Sequence, residues 1–256
     1  MNHRDFLVQR MEKFLRARIA EESHHSSDED FRPSLTISRE CGAGTFRIEQ
    51  PLVEYLDEID DSSSSGWACF DQSLVGKIIE DNRISTTVEP YHKEEAKFPI
   101  KESLEQILQL HPGEWSLFNY SASTIRKLCK LGNAIIVGRA GNFVTSDLEN
   151  TFHLRLVGSL ERRIETTQNR FSITRGEAAR LIAHTDQSRE HFVKRYTGSD
   201  VDDPNAYHAV INTDHFTNEV LVRIIGDSIV EWAHEKRGIE RPLTVVTPIS
   251  KFDQGR

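Results

Sequence analysis

The stretch LTISRECGAGTFRI, positions 35–48, is where the fold can be read. Ser34 to Ser38 is short and carries Leu35, Thr36 and Ile37, the pattern of a buried strand, and it runs straight into a turn with glycines at 42 and 44. Ile48, Leu52, Tyr55, Leu56 and Ile59 then recur at helical spacing. Strand, loop and helix in that order predict an α/β chain. Such a loop gathers backbone N–H groups at the positive end of a helix, which suits a phosphate. Gly42 and Gly44 allow close backbone approach, and Arg39 at the loop's start offers a bidentate charge. Two glycines after a strand also make an ordinary tight turn, and the residues alone leave both readings open.

Further along, Ala134 to Val137 is a continuous apolar run ending in Gly138 and Arg139, and Phe152 to Val157 is a second ending at Gly158. Both are expected as core strands of a parallel sheet. Trp67 to Asp71 and Tyr207 to Ile211 are expected as shorter strands. Thr174 with Glu177 three residues later predicts a capping box, with a helix running through Leu181 and Ile182 towards Phe192. Thr217 opens a last helix whose Leu221, Ile224, Ile225, Ile229 and Trp232 share a face. Residues 72–132 read as mostly helical, punctuated by Pro90, Pro99, Pro112 and Gly113. The N-terminal 18 residues read as an accessory helix with Phe6, Met11, Phe14 and Leu15 at near-helical spacing. Positions 21–30 and 60–66 read as linkers by composition. The expected organisation is an accessory helix and linker over 1–30, a compact unit over 31–238 and an irregular tail over 239–256.

The chain has 256 residues, 37% hydrophobic and 28% charged, enough for a sizeable core and too apolar for a disordered or fibrous protein. Lys plus Arg number 32 against 40 Asp plus Glu, a net charge of −8 that disfavours a nucleic acid or an acidic membrane as partner. No run approaches the roughly 18 apolar residues of a membrane helix, and charges fill the N-terminal region where a signal peptide is apolar. A soluble, cytoplasmic protein is expected. Cys41, Cys69 and Cys129 share no metal-ligand spacing and are expected as free thiols. His24 and His25, and His184 and His191 seven apart on one helix, are read as surface residues in preference to metal ligands.

Arg139 directly follows a core strand, at the carboxyl end where open α/β sheets bind ligands. Arg162, Arg163, Arg180, Arg189, Lys194 and Arg195 crowd one helical region of an acidic chain, and Arg189 lies one turn from Asp186. Surface salt bridges explain such spacing; so do arginines converging on a transferring phosphoryl group.

In TISRECGAGTFRI, CFDQSLV, IIVGRAGNFV and the stretch with Glu177, Asp186, Arg189, Tyr196, Thr197, Gly198, Asp203, Pro204, Tyr207 and Asn212, the chain resembles the cytidylate kinase-like proteins. These are a branch of the nucleoside monophosphate kinases, and the resemblance spans roughly Leu35 to Ile229. It implies a P-loop NTPase-type doubly wound parallel sheet with a helical lid at about 165–204 and an acceptor-binding region at about 72–132. It implies ATP and Mg²⁺, with Gly42, Ala43, Gly44, Thr45 and Phe46 at the donor phosphates. Asp71 and Arg139 would serve the acceptor, Arg162 and Asp186 the lid, and Arg39, Arg189 and Arg195 the transferring group.

The chain also departs from the phosphate-loop pattern. With Gly44 as the second glycine, Thr45 replaces the lysine and Phe46 the hydroxyl residue. Thr45 remains available to a metal in a shifted frame, and Arg39 or Arg47 to replace the charge. Pro51 should delay or kink the following helix, Phe46 is a candidate for core packing, and Ala140 replaces the acid of cytidylate kinases proper. The leading expectation is ATP-dependent phosphoryl transfer to a nucleoside monophosphate or related small molecule. Its rivals are a catalytically silent nucleotide-binding module and a structural relic of the fold without a ligand.

Overall fold

The computed structural model describes residues 2–22, 31–60, 66–80 and 112–239. Most of both expected linkers, His24 and His25, much of the expected acceptor region with Pro90 and Pro99, and the tail beyond 239 lie outside the described residues. Five strands form one parallel sheet in the order β2-β3-β1-β4-β5. They are β1 (Ser34–Arg39), β2 (Ala68–Phe70), β3 (Ala134–Val137), β4 (Thr151–Val157) and β5 (Ala209–Asn212).

Around the sheet run α1 (His3–Glu22), α2 (Glu49–Ile59), α3 (Gln72–Glu80), α4 (Pro112–Leu131), α5 (Gly141–Val144), α6 (Leu160–Phe171), α7 (Arg175–Thr197) and α8 (Asn218–Lys236). The connection from β1 to β2 travels one way along the sheet and the later ones travel back. Right-handed crossovers therefore put α2 on one face and α4 on the other. α1 and α8 pack beside α2, and α3 and α5 beside α4, so the sheet is doubly wound.

Strand β1 is buried on both faces because Leu35 and Ile37 meet the α2–α8 layer while Thr36 and Ser38 face the other layer. The final helix buries Leu221, Ile225 and Ile229 as its spacing predicts, and Thr217 caps it by accepting from the Val220 amide. The Thr174–Glu177 capping box is present in full at the start of α7. A 3₁₀ turn, Thr45–Arg47, precedes α2. Pro51 thus falls in the first turn of α2, where its missing N–H forfeits no intrahelical bond.

Residues 3–22 do not stand apart from the rest. Phe6, Leu7, Met11, Phe14 and Leu15 enter the same core as the sheet, and Phe14 meets Phe70 of β2 edge-on at 5.4 Å between ring centroids. Among the described residues the edge strand β2 has only β3 beside it, and α1 packs against β2, covering its apolar surface. Arg18 of α1 is 1% exposed and donates to Asn133 Oδ1 at 2.6 Å; the Asn133 amide and the Trp67 indole both donate to Asp60 at 3.0 Å. This network lies just before β2 and β3, at the sheet's amino edge, leaving the carboxyl edge for chemistry.

Candidate active site

The loop after β1 is built by two left-handed glycines, Gly42 at φ 87° and Gly44 at φ 84°. Gly42 is required for space as well. A Cβ there would lie 2.5 Å from the Arg163 carbonyl oxygen and 2.9 Å from Thr167 Oγ1, because α6 packs directly on the loop. Gly44 has nothing within 4 Å of such a Cβ. Left-handed Gly44 followed by helical Thr45 turns successive amides into one concavity. Among the described residues, nothing accepts from the amides of Gly42, Gly44, Thr45 or Phe46. The Thr45 hydroxyl is buried and equally without a partner there.

The loop's first amide is filled. Cys41 N donates to Asp186 Oδ1 at 2.7 Å, and Asp186 Oδ2 accepts from Arg163 Nη1 at 2.5 Å. The same Arg163 nitrogen donates to the Cys41 carbonyl at 3.2 Å. Arg189, 3.9 Å from Asp186, donates to the Arg39 carbonyl at 3.1 Å. Helices α6 and α7 thus hold the loop through three of their side chains.

Beside the loop, at the carboxyl ends of β1, β3 and β4, lies a cavity of about 790 Å³ lined by Arg39, Arg139, Arg155 and Arg189 among others. The Arg39 guanidinium lies across Gly138, where a Cβ would come within 2.1 Å of Nη1. Burial, aided by the Arg189 charge, pulls Arg39 down to about 10. No described residue forms an ion pair with it. Gly138, Arg139 and Ala140 are all left-handed, at φ 84°, 56° and 54°, and two of the three carry a Cβ, a strained turn of the kind found at ligand sites. Its effect is to aim Arg139 into the cavity with a buried Nε that has no partner among the described residues, and burial lowers the Arg139 pKa.

The expected site residues do not all converge. Arg39, Arg139, Asp186 and Arg189 meet at the cavity. Arg195 lines a neighbouring hollow of about 410 Å³ with Arg139, Phe118, Phe192 and Tyr196. Asp71 caps α3, its Oδ1 accepting from the Ser73 amide and hydroxyl and the Leu74 amide. Arg162 is turned to solvent against Glu165, and the residue facing the loop is its neighbour Arg163. Phe46 belongs to no core cluster; its ring lies under the Arg170 guanidinium at 4.1 Å, with Arg47 at 5.4 Å. Ala43 is buried within the core.

Arg155 went unnoticed in the sequence. It rises from β4 into the cavity floor with a side chain 7% exposed, donating to Ser38 Oγ at 3.0 Å and pairing with Asp202. The available signal was register: Thr36 and Ser38 lie opposite His153 and Arg155, four polar residues on one sheet face. Among the described residues, no group of three or more His, Cys, Asp or Glu side chains could hold a metal ion, and no helix is long and apolar enough to cross a membrane.

This combination of a central β1, a glycine-bearing loop into α2 and a doubly wound parallel sheet is a P-loop NTPase-type fold. The family model of the cytidylate kinase-like family matches residues 34–215, and the chain belongs to that family. None of the curated proteins matches the chain. An uncharacterized protein from Eubacterium ventriosum ATCC 27560 shares the fold, with a TM-score of 0.57 and 16% identity over 77% of this chain and 98% of that one. A gluconokinase from Sinorhizobium meliloti 1021 aligns at a TM-score of 0.39 and 11% identity, over 82% of this chain and 99% of its own.

Proposed function

We propose that the chain transfers a phosphoryl group from ATP to a nucleoside monophosphate or a related small anionic acceptor. One observation carries this reading: the loop whose amides at 42 and 44–46 have no acceptor among the described residues directly follows Arg39 and Glu40, which line a cavity where four arginines converge. Membership of the cytidylate kinase-like family supports it. Positioning and charge stabilisation supply nearly all the catalysis in phosphoryl transfer, and no general base is needed. The loop amides would hold donor phosphates, Arg39 supplying the charge that a loop lysine gives elsewhere. Arg139, rigid in its strained turn, would hold the acceptor's anionic group. Arg189 and Arg163 would close over the transferring group and Arg195 flank it, with water excluded as the lid helices settle.

The buried Thr45 hydroxyl, lacking a described partner, fits a phosphate-bound Mg²⁺. Thr45 would hold that ion together with the donor phosphates, and the ion when bound neutralises charge on their oxygens. A second reading, a nucleotide-binding module without turnover, is favoured by the lysine-free loop and by the carboxylate seated on its first amide.

Calorimetry with ATP and Mg²⁺, followed by a turnover screen of nucleoside monophosphates, separates the two. Binding with turnover supports the kinase, and binding alone supports the module. Arg189→Ala should lower turnover by roughly two decades or more while the protein stays folded in thermal melts; full activity in that variant removes Arg189 from the chemistry.

A further inference from the structure

Asp186 lines the cavity together with Arg39 and Glu40 and also reaches the first amide of the loop, that of Cys41. Its two oxygens are bound as a phosphate's would be, one by a loop amide at 2.7 Å and the other by a guanidinium at 2.5 Å. A carboxylate taking one backbone N–H and one arginine marks an anion position in this loop, since both donors are charge-selective in the same sense. Arg163 is held from both sides, by Asp186 and by the carbonyls of Cys41 and Gly158, with Glu40 at 3.5 Å.

We propose that Asp186 is an internal stand-in for the donor phosphate: it occupies the Cys41 amide, and arriving polyphosphate displaces it, taking over the amide and Arg163. The inference rests on the phosphate-binding reading of the loop. Three consequences follow from the geometry. Donor binding competes with an intramolecular anion, so the apparent affinity is reduced by the fraction of molecules latched. Arg163 becomes available to the transferring group only after displacement, which ties lid rearrangement to loading of the loop. The latch also shields the lysine-free loop from adventitious anions, since an incoming ion must outbid a tethered carboxylate.

The chain's three cysteines make the bond directly observable. Protein labelled with ¹⁵N only at cysteine gives three backbone amide resonances, and Cys41→Ser identifies that of residue 41. In Asp186→Ala the Cys41 resonance should move upfield while those of Cys69 and Cys129 stay in place. Asp186→Asn, which keeps the shape and an acceptor oxygen, should move it partway and serves as the second variant should the alanine form fold poorly. Calorimetry with MgATP and with inorganic tripolyphosphate should then show binding about tenfold tighter or more in the variants, the scale of a lost charge-assisted hydrogen bond.

A Cys41 resonance unmoved by both substitutions overturns the latch, and so does unchanged or weaker anion binding, which would make Asp186 a ligand-holding residue. Tripolyphosphate binding gained by the variants without any binding of ATP sustains the latch and refutes the nucleotide reading. Failure of every protein to bind either anion overturns both.

Discussion

Replacing Gly42 with alanine tests how α6 is joined to the loop. The backbone at Gly42 is left-handed at φ 87°, which costs a residue with a Cβ roughly 1–2 kcal/mol. The added methyl would also stand 2.5 Å from the Arg163 carbonyl oxygen, 2.9 Å from Arg163 Cβ and 2.9 Å from Thr167 Oγ1. None of these is the free end of a long side chain, so α6 itself must move, an overpacking cost of roughly 1–3 kcal/mol. The total of about 2–5 kcal/mol corresponds to a fall in melting temperature of about 5–15 °C at this chain length. Gly44→Ala is the control: the φ of 84° is nearly the same, but nothing lies within 4 Å of the new methyl, so only the backbone cost of roughly 1–2 kcal/mol applies. Urea denaturation of both variants measures the difference. Equal losses, or a Gly42→Ala loss below about 0.5 kcal/mol, would refute the close packing of α6 on the loop.

Thr45→Val removes a buried hydroxyl that has no described partner, so stability should hold or rise slightly in thermal melts while Mg²⁺-dependent turnover drops about tenfold or more; retained turnover would clear Thr45 of a role. Burial, with His208 adding, lowers His153 to about 4 against an ordinary 6.5. The unfolded chain therefore binds the extra proton first, so stability is full above about pH 6.5 and falls by up to about 3 kcal/mol as pH drops to 4. His153→Gln should flatten that limb in denaturation curves taken across the range, and an unchanged slope would assign it to other groups. Phe14→Ala should cost about 3–5 kcal/mol in chemical denaturation, because its ring is 1% exposed against Phe70; a loss under 1 kcal/mol would mean that α1 is dispensable to the core.

Local signals were strong where one residue or one short pattern decides a conformation. Ala134 to Val137 is a strand at the very residues its apolar run marks, and the Thr174–Glu177 pair caps α7 as the spacing requires. Periodicity also found the apolar face of α1, but not what it covers, since the exposure of β2 depends on the strand order. Arg162 and Arg163 are adjacent in a basic cluster, and only the angle at which α6 meets Gly42 decides that the second faces the loop. Arg155 sits in a strand otherwise rich in apolar residues, and its use becomes visible when Thr36 and Ser38 take their places across from His153 and Arg155.

The sequence by itself determined the α/β alternation, the glycine-bearing loop, Arg139 at a strand's carboxyl end and the family resemblance, because those depend on backbone preferences and periodicities spanning a few residues. The tertiary structure alone decided that Asp186 reaches the amide of Cys41 across 145 positions of chain, and that arginines from β1, β4, α7 and the turn after β3 share a cavity. Contacts between distant segments depend on strand order and helix orientation, which are settled by burying the whole core at once and by no single segment of the chain.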